Sequence, residues 1–374
     1  PDGFQPLNSA NLRPETVIPR SDQFVGLTTY TGNGSARSIN VGLEPDLVWI
    51  KSRSGAYVHY LVDTVRGAQK RLSSDSTNAE ATNAQSLTAF NIDGFSLGNE
   101  QAVNENTDSF VSWCWKAGGN KNTFNVDDVG YASAAAAGIT EGTNALTGAS
   151  VGTKQGFSIT KHAVSGASVP YTVGHGLSEA PTFIVWKSLS SSNWVVYHAS
   201  TGNQSRTYLN LTNTASSGEA YLNNTSPSST VITMGSSGEF TGDMIIYSWH
   251  DVPGLQKFGS YIGNGTADDG SFVELGFRPA IILIKRTTSG SGGFNWTIND
   301  SERGKYNPNG TALFPNLANI ESTNDEYEID FLSNGFKLRS TTPDSTNVSG
   351  QTYIYAAWAE APTIDLYGGG ANAR

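Results

Sequence analysis

Two short segments place opposite charges three residues apart at the end of an apolar run. Asp63-Thr-Val-Arg66-Gly67 follows HYLV, and Asp300-Ser-Glu-Arg303-Gly304 follows WTIN. A carboxylate and a guanidinium at that spacing can close a turn as an ion pair, with glycine supplying a positive φ. The same groups can hydrogen-bond sugar hydroxyls while an aromatic ring stacks on the sugar face, and Trp296 stands four residues before Asp300. Trp194 precedes His198 by the same four residues, with histidine where the others have aspartate. The turn is the plainer reading. The candidate glycan contacts are Trp194, Trp296, Asp300, Arg303, Asp63 and Arg66.

Other chemistries find less support. Cys114 is the single cysteine, which rules out a disulfide within the chain; it aligns with Ser248 and Ala357, so it reads as a packed small residue. His59, His162, His175, His198 and His250 show no zinc-binding spacing. The doublets Asp127/Asp128 and Asp268/Asp269 lie in glycine-rich loops that could attract calcium, but neither matches an EF-hand or a calcium-binding repeat. No cofactor is expected. Y-x-G-N-G, at 30–34 and 261–265, lacks the Lys-Ser/Thr and helix of a phosphate loop and reads as a hairpin turn. A glycosidase needs two placed carboxylates, and 33 acidic residues single out no pair.

Composition narrows the class. The 374 residues carry a formal net charge of −10 and no basic cluster, which argues against a nucleic-acid partner. No apolar run reaches the length of a membrane helix, so no membrane insertion is expected. Only 15% of residues are charged while Gly numbers 41, a balance that suits turn-rich β structure with a hydroxyl- and amide-covered exterior.

The elements that must position these residues recur along the chain. FVGLTTYTGNGSARSINVGLEPDLVWIK (24–51) and FGSYIGNGTADDGSFVELGFRPAIILIK (258–285) share Y-x-G-N-G and a Pro followed six residues later by Lys. A more divergent copy at 156–187 keeps Pro181 and Lys187, matching Pro45/Lys51 and Pro279/Lys285. Proline opens a strand without losing a ladder bond, and the lysine is expected to lay its stem on apolar surface with its ammonium in solvent. Period-two alternation, as in Ile39, Val41 and Leu43, predicts half-buried strands. LVWI (47–50) and AIILI (280–284) are apolar on both faces and predict strands covered from two sides.

The expected architecture is all-β: three tandem antiparallel β-sandwich or jelly-roll-like units of about 95 residues with little helix. The expected boundaries are an extended lead-in over 1–23, units at 24–117, 156–250 and 251–362, a Gly/Ala-rich linker over 118–155 and a tail over 363–374. A start at Pro1 rather than Met suits a piece of a longer protein.

Many phrases in order carry a resemblance: the lead-in GFQPLNSANLRPETVIP, YTGNGS, PDLVWIKSR, DTVRG, DGFSLG, WKAGG, GYASAAAAG, GFSI, TVGHGL, KFGSYIGNG, GFRPA, LSNGFKLR and AEAP. Together they resemble an uncharacterised repeat module of tail-fibre-like bacteriophage virion proteins, known mostly from marine phages. In relatives it often follows a lectin-like domain of the SPRY or laminin-G type. The resemblance implies a non-enzymatic part on the exterior of a virion, with other virion proteins and a host-surface glycan as partners and a homo-oligomeric assembly. It supplies no catalytic residues. A purely architectural decoration or fibre-assembly module is the alternative, and a polysaccharide depolymerase the third reading.

Overall fold

The computed structural model describes residues 17, 18, 20–164, 170–217, 221–288, 294–340 and 345–361, with the backbone of 363, 364, 370 and 371. Most of the lead-in and tail lie outside these residues. Among them the chain is nearly all β, with two four-residue helices, Gln101–Asn104 and Ala134–Ala137.

Twelve strands form the frame. The first sheet contains β1 (Val25–Thr31), β2 (Leu47–Ser52), β3 (Tyr60–Asp63) and β4 (Ser109–Trp115). The second is built on β5 (Phe157–Val164), β6 (Phe183–Ser188), β7 (Val195–His198) and β8 (Gly242–Trp249). The third contains β9 (Gln256–Ile262), β10 (Pro279–Arg286), β11 (Thr297–Asp300) and β12 (Thr352–Ala359). Their orders are β1-β4-β2-β3, β5-β8-β6-β7 and β9-β12-β10-β11, and every one of these pairings is antiparallel.

The doubly apolar runs explain how the layers stack. In β2, β6 and β10 alternate side chains point to opposite faces. Leu47, Trp49, Phe183, Val185, Ile281 and Leu283 join one core shared by all three sheets. Val48 and Ile50, Ile184 and Trp186, and Ile282 and Ile284 fill three separate outer cores. Each outer core is closed by a smaller sheet. These are Arg37–Asn40 with Gly94–Leu97 and Leu87–Asn91, Tyr171–Gly174 with Val231–Met234, and Phe272–Glu274 with Gly335–Leu338 and Ile329–Leu332. Each buried apolar side chain of this kind contributes about 1.5–3 kcal/mol.

The Asp-Gly-Phe and Asn-Gly-Phe motifs lie at the hairpins of two small sheets. A Cβ on Gly94 would stand 2.0 Å from the Ile39 carbonyl oxygen, and one on Gly335 2.0 Å from that of Val273. Only glycine allows that approach.

At the centre Trp115, Trp249 and Trp358, the last residues of β4 and β8 and the penultimate residue of β12, meet edge to face. Their centroids are 6.4, 5.2 and 5.9 Å apart and their planes 71°, 65° and 69° from one another. This arrangement sets the positive ring edges against negative faces.

Two expectations are corrected. Residues 118–155 are not an extended linker: Leu146–Gly152 pairs with β5, Phe124–Val126 pairs parallel to it, and Val129–Tyr131 forms the edge. The second sheet thereby gains three strands, because the small residues of LTGASVG pack where an alternating pattern was hard to see. Ala134–Ala137 is helical because Ser133 Oγ caps the Ala136 N–H and Gly138, at φ 70°, ends the turn.

Y-x-G-N-G is not a hairpin either. It carries the chain from the large to the small sheet, latched by a buried asparagine. Asn104 accepts from the Asn33 N–H at 3.1 Å and donates to Asn33 Oδ1 at 3.2 Å. Asn347 does the same with Asn264 at 3.1 and 2.8 Å.

Candidate functional site

The six sequence-derived candidates all lie in the seams between the large sheets. Asp63 closes its turn by accepting from the Arg66 N–H at 2.8 Å and pairing with Arg66 Nε at 2.5 Å, and it accepts from the Tyr247 hydroxyl of β8 at 2.7 Å. Asp300 repeats the turn with Arg303 at 2.9 and 2.5 Å and accepts from the Trp113 indole of β4 at 3.0 Å. Arg303 lies 5.5 Å from the Trp113 ring centroid, a cation–π contact. His198 occupies the corresponding place in the second sheet. Its Nδ1 accepts from the Ser200 N–H at 3.1 Å, which leaves Nε2–H to donate to the Tyr355 carbonyl of β12 at 3.1 Å. The seams run from first sheet to second, second to third and third to first.

A second set of contacts runs round the same ring. Trp194 donates its indole N–H to the Ser73 carbonyl at 2.8 Å, and Trp296 donates to that of Tyr208 at 2.8 Å. His59 holds the equivalent position, accepting from Trp49 Nε1 at 2.8 Å and donating through Nε2 to Phe314 and Leu317 carbonyls at 3.0 and 3.1 Å. Trp194 is 0% and Trp296 1% exposed, and the side chains of Asp63, Arg66, Asp300 and Arg303 are at most 1% exposed. This corrects their reading as glycan contacts: a surface ligand does not reach them, and their polar atoms are engaged by neighbouring strands.

The recurring spacing of Pro and Lys receives a different correction. Lys51, Lys187 and Lys285 are fully buried rather than solvated. Lys51 Nζ donates to the Ser52 and Gly55 carbonyls at 2.7 and 3.3 Å. Lys187 Nζ reaches the Ser188 and Ser190 carbonyls, both at 2.7 Å, and Lys285 Nζ those of Thr212, at 2.9 Å, and Phe294. Burial lowers Lys51 and Lys187 to about 8 and Lys285 to about 7. An ammonium has three donors, so one lysine ties down the chain leaving each central strand.

The remaining sequence candidates are held within turns or cores. Asp127 and Asp128, at φ 47° and 67°, form a two-residue hairpin turn, with Asp127 accepting from Thr153 and Asp128 paired to Lys116. Asp269 pairs with Lys337. Cys114 is buried in the first outer core, and burial pushes its thiol pKa up.

A groove of about 630 Å³ opens on the surface where the third sheet's loop 313–327 meets the first sheet's loop at Ala56. Phe314 and Tyr327 lie at its base, their rings 5.2 Å apart and 70° from parallel. Asn295, Asn319 and Asn324 line it, and Ile320 is 51% exposed beside them. The loop is clamped from the first sheet. The Glu321 N–H donates to the Arg53 carbonyl at 2.8 Å, Ser74 Oγ donates to the Pro315 carbonyl at 2.7 Å, and His59 grips Phe314 and Leu317 from below. Arg53 holds Glu321 in a bidentate pair at 2.9 and 2.8 Å, and Arg303 adds a contact at 3.1 Å. These two guanidinium groups lower the pKa of Glu321 despite its burial.

Sequence reasoning missed this groove. The available signal was the stretch 305–328, which differs most from its counterpart after Arg66; it holds no charged pair or spaced motif to attract notice.

Comparison with curated proteins and with solved structures finds no match. A family model described as Domain of unknown function (DUF7483) matches residues 20–362, and the chain belongs to that family.

Proposed function

We propose that this chain is a non-enzymatic structural module on the exterior of a bacteriophage particle, part of a tail fibre or similar appendage, that adheres to a host-surface glycan. The observation that carries the reading is the division of labour between centre and surface. Ion pairs and indoles of the kind that often make sites are consumed in holding three sheets together. What faces outward includes a groove lined by asparagine amides, Ile320 and the rings of Phe314 and Tyr327. Sugars are bound by such surfaces through hydroxyl hydrogen bonds and ring stacking rather than net charge. Ile262 at the end of β9 and Phe272 in the small sheet beside it, 63% and 47% exposed, favour a second reading as an assembly module packed against other virion proteins.

Reconstruction of a particle carrying the chain tests the placement. Density for it on an exterior appendage is expected, and its absence from the particle overturns the proposal. The labelled chain should also sediment with host cells and be competed off by their purified surface polysaccharide.

A further inference from the structure

We infer that the groove between loop 313–327 and Ala56 binds an uncharged stretch of glycan, one or two pyranose rings long. The inference rests on the adhesion reading and narrows it to one place and one ligand class.

Three features of the groove select the ligand. Its volume of about 630 Å³ falls within the span of roughly 300–1,000 Å³ usual for small-ligand sites. The half-buried Tyr327 ring, packed edge to face on the buried Phe314, and the exposed Ile320 offer apolar surface of the kind that meets the C–H face of a sugar. Around them stand side-chain amides: Asn295 Oδ1 accepts from Asn316 and Asn324 caps Glu326, so Asn295 Nδ2 and the Asn319 amide supply the donors and acceptor that match sugar hydroxyls.

Charge decides between sugar classes. Glu321 is the acidic residue lining the groove, and its two oxygens are taken by Arg53 and Arg303. Those guanidinium groups are paired with Glu321 and Asp300, and neither lines the groove to meet an anion. A uronic or sialic acid would bring a charge with no matching partner, whereas a neutral hexose brings none. The wall is also fixed in advance: the clamps from Arg53, Ser74 and His59 hold loop 313–321 before any ligand arrives, which lowers the ordering cost of binding.

The test uses the full chain on an array of neutral and anionic bacterial oligosaccharides, with titration calorimetry on those retained. Neutral oligosaccharides are expected to bind. Ile320→Arg, which fills the groove from an exposed position, should abolish binding, and Asn319→Ala should raise Kd by about tenfold, equivalent to roughly 1.4 kcal/mol. Unchanged thermal melting of both variants shows that the fold is intact. Retention of anionic glycans alone, of none, or equal binding by Ile320→Arg overturns the inference. Adhesion to whole cells is scored separately. Cells bound equally by the parent chain and Ile320→Arg leave the adhesion reading standing without this groove. Neutral oligosaccharides bound in the groove without adhesion to cells do the reverse.

Discussion

The seams at Asp63 and Asp300 differ from the seam at His198, although each residue ends the third strand, in chain order, of a large sheet's four-strand frame. In the first two, a carboxylate closes its own turn through arginine and accepts from an aromatic donor across the seam, Tyr247 or Trp113. At the third, the opposing strand presents Ala356 where the others present Tyr247 or Trp113, so no side-chain donor exists. A carboxylate there would face the Tyr355 carbonyl. Neutral imidazole solves the problem by accepting from Ser200 and donating to that carbonyl. The position is set by geometry, and the residue type follows the partner.

Breaking this contrast should show unequal costs. The largest loss is expected for Arg303→Met, which leaves the Asp300 carboxylate buried without its guanidinium: about 3–5 kcal/mol in denaturant unfolding. A loss below about 1 kcal/mol would mean that the pair is not buried as described. Acidification acts on the histidine seams, and across its full window each histidine is worth an amount similar to the Arg303→Met substitution. His59 is held down to about 3 and His198 to about 4, mainly by burial, against an ordinary value near 6.5. Between those values the unfolded chain holds the extra proton, so their contribution is present above pH 6.5 and is lost as pH falls toward 4 for His198 and toward 3 for His59. Each histidine removes about 1.4 kcal/mol per pH unit across that window. His198→Gln, which can keep both hydrogen bonds, should unfold with a shallower acid slope than the parent; an unchanged slope would remove His198 from the account.

A smaller effect is expected from Trp194→Phe and Trp296→Phe. Each leaves a buried carbonyl, of Ser73 or Tyr208, without its indole donor and should cost about 1–3 kcal/mol. Neither should alter cell adhesion beyond what the loss of fold explains, in contrast to Ile320→Arg. That surface change should fall within about 0.5 kcal/mol in stability while abolishing glycan binding.

Much of the frame was legible. Leu47–Ile50 and Ala280–Ile284 announced strands covered on both faces, because two adjacent apolar residues on a pleated strand must point in opposite directions. The Asp63–Arg66 and Asp300–Arg303 turns were readable from spacing alone. The burial of Lys51 was not, since a lysine closing a strand looks the same whether its ammonium meets water or a cage of carbonyls. Residues 118–155 escaped for a related reason: Gly and Ala carry no face, so strand Leu146–Gly152 shows no period until a neighbour pairs with it.

The sequence by itself determined the local periodicities, the turns and the recurrence of the strand–Lys pattern, because these depend on chemistry within a few residues. Tertiary structure decided what each recurring feature is for. Trp194, Trp296 and the Asp–Arg pairs became seams because their partners lie 88–187 residues away, on segments that only the packing of the three sheets brings alongside. The groove exists for the same reason: its loop belongs to the third sheet, but the residues that hold that loop in shape, His59, Ser74 and Arg53, belong to the first.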